Sequence, residues 1–254
     1  MSKPNPYRYF RTSREITRLV TMMFVRFPLP LRDVEDLIHE RGTEVSHESV
    51  RIWWMRFGPH CAFESRKAWA HGMRCYSNWK WHLDEVFVKI TGETHHMWRA
   101  VDHEGEVLKA FVTKRRDRKA ALKFLKKLMN RYAQPEKIVT DKLRSYDKAM
   151  KKSGKADRKN TGRWLNNRIE NSHLPFRRRE RAMSHFRRMR SSQKFAAVHS
   201  SIHNFFSSER SLYSRQDFKG NRAAALTDWR QLGAAKKTIS LSVLRRVRIR
   251  LKSP

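Results

Sequence analysis

Trp81–Ile90, WHLDEVFVKI, is the stretch that decides the fold. Its even positions, His82, Asp84, Val86, Val88 and Ile90, share one side of an extended chain, and Trp81, Leu83, Glu85, Phe87 and Lys89 share the other. Both sides are largely apolar, which is the pattern of a central strand covered on both faces. An ionised Asp84 beside three aliphatic residues is costly there unless a partner compensates it.

Two more strands are expected downstream, Thr94–Val101 after the Thr91-Gly92 turn and Val107–Thr113 after His103–Glu106, giving three antiparallel strands. Arg118–Tyr132 then sets Ala121, Leu122, Leu125, Leu128 and Met129 at helical spacing behind Asp117 as N-cap. Pro135 stops that helix, and Lys137–Thr140 reads as a short strand ending at Asp141. A helix between two strands makes a crossover, so this strand is expected parallel to the first, and such sheets place their sites at the carboxyl ends of strands. Leu143–Lys152 reads as helix, Ser153-Gly154 as a turn, and Gly162–His173 as a segment carrying Glu170 on a helix. Asp84, Asp141 and Glu170 are therefore candidates to converge.

Upstream, Ile16, Leu19, Val20, Met23, Phe24 and Phe27 follow helical spacing until Pro28 and Pro30. Leu31, Val34, Leu37 and Ile38 form a second run closing at Gly42. Ser46 as N-cap precedes Val50, Trp53, Trp54 and Phe57. Helix, short turn, helix is the arrangement of a helix-turn-helix, whose second helix enters the major groove, and on that reading His47, Ser49, Arg51 and Arg56 face DNA. A small three-helix bundle with a solvated polar face fits the same pattern. Residues 59–79 read as a connector; His60, Cys61, His71 and Cys75 have zinc-type donors at spacings that match no common structural site.

The chain has 254 residues, 57 Lys and Arg against 24 Asp and Glu, and a formal net charge of +33. Such a charge calls for a polyanion, and nucleic acid is the expected partner. Two cysteines are too few for a disulfide framework, and no apolar run approaches a membrane span. Without an export-signal pattern in Met1–Arg11, the expectation is a soluble, non-exported chain with no membrane partner. Net charge is +21 after residue 150, whereas residues 81–150 keep ten carboxylates, which in a polyanion-binding protein ask for a cation between them and the phosphates.

WHLDEVFVKI, VTDKLRSY and GRWLNNRIENSHLPFRRRERAM resemble the signature regions of bacterial DDE transposases of the insertion-sequence-six family, and the similarity continues through SSQKFAAVHSSIHNFF to Trp229. The resemblance implies an α/β fold, an RNase H-like mixed five-stranded sheet with flanking helices, preceded by an all-α helix-turn-helix domain. It implies Asp84, Asp141 and Glu170 as an acidic triad binding two Mg²⁺ ions, for which Mn²⁺ can substitute. Only 28 residues separate Asp141 from Glu170, fewer than is usual for the family; Glu180 is the other acid nearby, outside the matching motif.

The implied activity is nicking of the ends of an insertion sequence and transfer of the 3′-hydroxyls into target DNA, replicatively. The implied partner is double-stranded DNA, at both terminal inverted repeats and target. The chain would act as a homodimer or larger assembly in the bacterial cytoplasm, nucleoid-associated when bound. A DNA-binding protein without catalysis and a nuclease without strand transfer are the competing readings.

The expected division is 1–58 helix-turn-helix, 59–79 connector, 80–210 catalytic domain and 211–254 basic extension. Arg163 and Arg168 are candidate phosphate contacts, equally explained by a polar helix face, and Trp164 either stacks on a base or belongs to the core. His173 shares a helix face with Glu170 and can assist positioning. Arg177, Arg178, Arg179 and Arg181 open a segment with seven arginines in fourteen positions that is expected to grip phosphate.

Overall fold

The structure, a computed structural model, describes residues 7, 10–73, 80–103, 105–132, 135–140, 144–152, 154, 156–162, 165–184, 186–207 and 214–231. Two compact units form, one from Met1–Arg74 with Ser201–Pro254 and one from Cys75–Ser200.

In the first unit α1 (Arg14–Arg26), α2 (Leu31–His39) and α3 (His47–Met73) bury Val20, Phe24, Val34, Ile38, Val50, Trp53, Trp54 and Phe57 against one another. Ser13 Oγ accepts the Ile16 N–H and caps α1, and Gly42 takes the left-handed conformation, φ +72°, that the α2–α3 turn requires. α3 runs on to Met73 where the sequence predicts a connector. Pro59 removes one backbone donor, yet Cys61, Ala62 and Ser65 stay buried and continue the phase set by Trp54 and Phe57.

α8 (Arg215–Gln231) belongs to the same unit. Trp229 Nε1 donates to the Arg18 carbonyl at 3.3 Å, and Arg18 Nη1 donates to the Arg230 carbonyl at 2.9 Å. The part of the chain after residue 210, expected as an extension, thus supplies a core tryptophan to the helical unit.

The second unit is built on a five-stranded sheet, β1 (Lys80–Ile90), β2 (Glu93–Asp102), β3 (Val107–Thr113), β4 (Lys137–Thr140) and β5 (Lys159–Asn160), ordered β3-β2-β1-β4-β5. β2 is antiparallel to β1 and β3, while β1, β4 and β5 are parallel. This is the mixed, helix-flanked sheet of an RNase H-like α/β fold. Thr91 (φ +51°) and Gly92 (φ +80°) make the two-residue hairpin turn between β1 and β2.

A β-branched residue is strained there. Thr91 is held by its N–H to the Phe186 carbonyl at 3.0 Å and its hydroxyl to the Arg187 carbonyl at 2.8 Å, which ties the arginine-rich connection to the hairpin.

α4 (Arg118–Met129) and α5 (Arg144–Lys152) cover the face bearing Trp98, whose ring meets Phe124 and Tyr146. Asp117 caps α4 by accepting the Ala120 N–H. The opposite face carries Asp84 and meets α6 (Asn167–Ala182), with Phe176, Phe186, Phe195 and His199 clustered beyond it. Gln193 of α7 (Met189–Phe206) closes the β3 edge: its Oε1 accepts the Val112 N–H at 2.8 Å and its Nε2 donates to the Ala110 carbonyl at 3.1 Å. No helix among the described residues is long and apolar enough to cross a membrane.

Candidate active site

Alternation along β1 sends Asp84 and Glu85 to opposite faces. Glu85 is buried and paired with Arg116. Asp84 keeps 18% of its side chain exposed and faces α6, where His173 Nε2 lies 3.1 Å from Asp84 Oδ2. A carboxylate only accepts, so Nε2 carries the proton and donates. His173 Nδ1 is buried without a hydrogen-bond partner among the described residues. Burial pushes the basicity of His173 down, the hydrogen bond from Asp84 works against that, and the charge of Arg99 adds to it. The ring is therefore a neutral donor at neutral pH, and Asp84 has a partner that fixes one oxygen without cancelling its charge.

α6 is placed by its first turn as well. Asn166, just before the helix, donates from Nδ2 to the Leu83 carbonyl at 3.4 Å, and Ile169 packs with Val101 and Val107. The helix starts at Asn167 rather than Gly162 and continues through Pro175 to Ala182. Glu170 sits in that first turn, exposed, one turn before His173 on the same face, and among the described residues no cation pairs with it. Glu180, the other downstream acid, is buried and paired with Arg177 Nη1 at 3.1 Å. β4 brings its last residue, Thr140, into register with Leu83. Asp141, Arg163 and Trp164 lie outside the described residues, as does the tail from Lys236. Among the described residues no three His, Cys, Asp or Glu side chains are gathered as a metal-holding group.

The expected arginine grip is divided. Arg178 and Arg181 are exposed, Arg168 is half-buried, and Arg177 is committed to Glu180. Arg179 is corrected: it is fully buried, with its guanidinium 5.8 Å from the Phe195 ring centre, and cannot meet a phosphate from there. A run of arginines has no phase of its own, so only the Phe176-centred face of α6 reveals which one turns inward.

In the helical unit, Glu35 Oε2 accepts both the His47 N–H at 3.0 Å and a bond with His47 Nδ1 at 2.9 Å, so α2 caps α3. Ser49 is bonded to Ser46, Arg51 to Glu48, and the Arg56 guanidinium covers the Phe10 ring at 4.8 Å. The outward row of α3 also includes Ile52 and Met55, 48% and 39% exposed. The sequence reading missed both. Their signal was available, since they are apolar residues out of phase with the core positions Val50, Trp53, Trp54 and Phe57.

A family model described as a DDE domain matches residues 78–209. The transposase for insertion sequence-like element IS431mec of Staphylococcus aureus is 32% identical over 174 residues, 66% of this chain and 75% of that protein. The transposase for insertion sequence element IS257 in transposon Tn4003, also from Staphylococcus aureus, matches with the same identity and coverage. Among solved structures, the cryoEM structure of simian T-cell lymphotropic virus intasome in complex with PP2A regulatory subunit B56 gamma has a chain that aligns with a TM-score of 0.38 and 14% identity, covering 63% of this chain and 57% of that one. The family model spans the sheet and the helices around Asp84 and Glu170, and with the two transposases it settles the affiliation: the chain belongs to the DDE transposases of the insertion-sequence-six family.

Proposed function

We propose that this transposase nicks the ends of its element by metal-dependent hydrolysis and joins the 3′-hydroxyls to target DNA, with Asp84, Asp141 and Glu170 as the acidic triad. The observation that carries the reading is α6 seated against β1, with His173 on Asp84 and Glu170 one turn away without a cation. Asp84 and Glu170 offer hard oxygen donors whose charge the fold leaves available, a donor set that fits Mg²⁺ or Mn²⁺. When bound, two such ions activate the attacking oxygen and stabilise the departing one in an in-line displacement.

His173 holds the Asp84 carboxylate in one orientation. Arg178 and Arg181, exposed on α6, neutralise phosphates and hold the strand. The outward row of α3 reads the terminal inverted repeats in the major groove. Replicative transposition and assembly of at least a homodimer on DNA complete the proposal.

The test is incubation of labelled element ends with the protein and Mg²⁺ or Mn²⁺. Wild-type protein is expected to nick and join, and Asp84→Asn and Glu170→Gln to bind the ends without cutting them. Cleavage preserved in Asp84→Asn refutes the assignment; binding alone by the wild type leaves a DNA-binding protein, and nicking alone a nuclease.

A further inference from the structure

Arg99 stands directly across the β1–β2 ladder from Asp84. Partners in an antiparallel pair point to the same face, with Cβ atoms about 4.5–5.5 Å apart. Arg99 is 0% exposed, and its Nε, Nη1 and Nη2 make no hydrogen bond. Among the described residues no carboxylate is paired with it. Other inward arginines are satisfied: Arg18 by the Arg230 carbonyl, Arg158 by the Pro135 carbonyl.

Burial without compensation pushes the Arg99 guanidinium down to about 10, so it remains a cation at neutral pH. A buried cation with none of its donors satisfied is destabilising, and replacing such a group by an apolar one of similar volume is often neutral or stabilising. The group that its charge can reach across the ladder is the carboxylate of Asp84. In a medium of low dielectric, the same cation that attracts that carboxylate repels any second cation approaching it.

We propose that Arg99 is a positioning residue that acts through Asp84, competing for its charge in the DNA-free protein so that the site takes up a divalent cation readily only when a DNA phosphate adds its own negative charge. This inference rests on the proposed reading of Asp84 as a metal ligand. It gives the buried guanidinium a role that the hydrogen-bond pattern does not: the site stays weakly loaded until substrate arrives, because Mg²⁺ sites built from a few carboxylates draw their remaining ligands from substrate phosphate.

The experiment measures Mn²⁺ binding to the full chain by electron paramagnetic resonance of the free ion. It uses wild type, Arg99→Met, Arg99→Lys and Asp84→Asn, each without DNA and with a random-sequence duplex. The Asp84-dependent part is the difference from Asp84→Asn. Without DNA, Arg99→Met is expected to bind Mn²⁺ at least roughly tenfold more tightly than wild type, a difference of about 1.4 kcal/mol. Arg99→Lys, which keeps the charge, is expected to bind like wild type. Arg99→Met is also expected to melt at the same or a higher temperature by circular dichroism.

Equal or weaker Mn²⁺ binding by Arg99→Met overturns the inference, because a merely structural arginine loses affinity when removed. Should Arg99→Met fail to fold, wild type decides: DNA-free binding as tight as binding with duplex overturns the proposal. If no Asp84-dependent binding occurs in any variant, with or without duplex, the metal-site reading falls and the inference with it. Asp84-dependent binding that is indifferent to Arg99 removes the inference alone.

Discussion

Replacing Trp229 by Ala tests whether the chain beyond residue 210 is part of the helical unit or an appendage to it. Trp229 is 2% exposed, its ring centre lies 5.8 Å from Phe205 and 5.5 Å from Phe206, and its indole N–H donates to the Arg18 carbonyl. Burying an aromatic side chain removes roughly 150–250 Å² from water. At about 25 cal/mol per Å² that is about 4–6 kcal/mol. Residual burial in the unfolded chain trims this figure, and Trp→Ala substitutions in cores cost about 3–5 kcal/mol. We expect a loss of about 4 kcal/mol from the unit that holds α1, α2, α3 and α8. Against a total of about 5–15 kcal/mol for a domain, that is a large share.

α8 buries only Trp229 and Ala225, so the loss falls on its docking. The assay is urea denaturation followed by far-ultraviolet circular dichroism, with Trp229→Phe as the milder comparison. Trp229→Phe keeps an aromatic ring and loses the hydrogen bond, and is expected to cost about 1 kcal/mol from that bond. A loss below about 1 kcal/mol in Trp229→Ala refutes the reasoning, since a tryptophan that packed on nothing would behave in that way.

His173→Ala is expected to weaken Asp84-dependent Mn²⁺ binding by about 10–100-fold, as removal of a hydrogen-bond partner of a ligand does, and His173→Gln to restore much of it; equal affinity in all three proteins contradicts the positioning role. The Cys61 thiol, pushed up to about 11 by burial, is expected to resist iodoacetamide at pH 8 in the folded protein and to react after unfolding, checked by peptide mass mapping. Its folded pKa lies above the unfolded value, so the unfolded state loses its proton first and stability falls as pH rises from about 9 to about 11, a slope that Cys61→Ala removes.

The sheet was legible because WHLDEVFVKI alternates with apolar residues on both sides, and because Thr91-Gly92 and Asp117 mark a hairpin and a helix start by local chemistry. What was not legible has local causes too. Pro59 and Pro175 argue for helix ends, yet tertiary burial of Cys61 and Ala62, and of Phe176 and Arg179, carries α3 and α6 through them. β5 is two residues long, too short to leave a period. Gly162–Asn166 precedes α6 rather than opening it, since Gly162 and Asn166 serve the approach to β1. At the site, the sequence paired Glu170 with His173 by spacing, but the contact of His173 with Asp84 spans 89 residues and exists only once α6 packs on the sheet.

That long-range contact also explains how a chain of net charge +33 can keep an acidic pocket usable. Cations are abundant enough to cancel carboxylates wherever they meet, and around the sheet they do: Glu85 takes Arg116, Glu93 takes Lys114, Asp147 takes Lys159 and Glu180 takes Arg177. Asp84 instead takes an imidazole kept neutral by burial, and Glu170 pairs with no cation among the described residues. The one cation set against Asp84 on its own face, Arg99, is locked in the sheet without a hydrogen bond. A salt bridge would have spent the carboxylate's charge; a neutral donor orients it and leaves the charge for a ligand. The exposed arginines of α6, Arg178 and Arg181, lie further along the same helix that carries Glu170, so one element presents both the acid and the phosphate-seeking surface. The fold thus separates the two signs by burial and by helix phase rather than by composition.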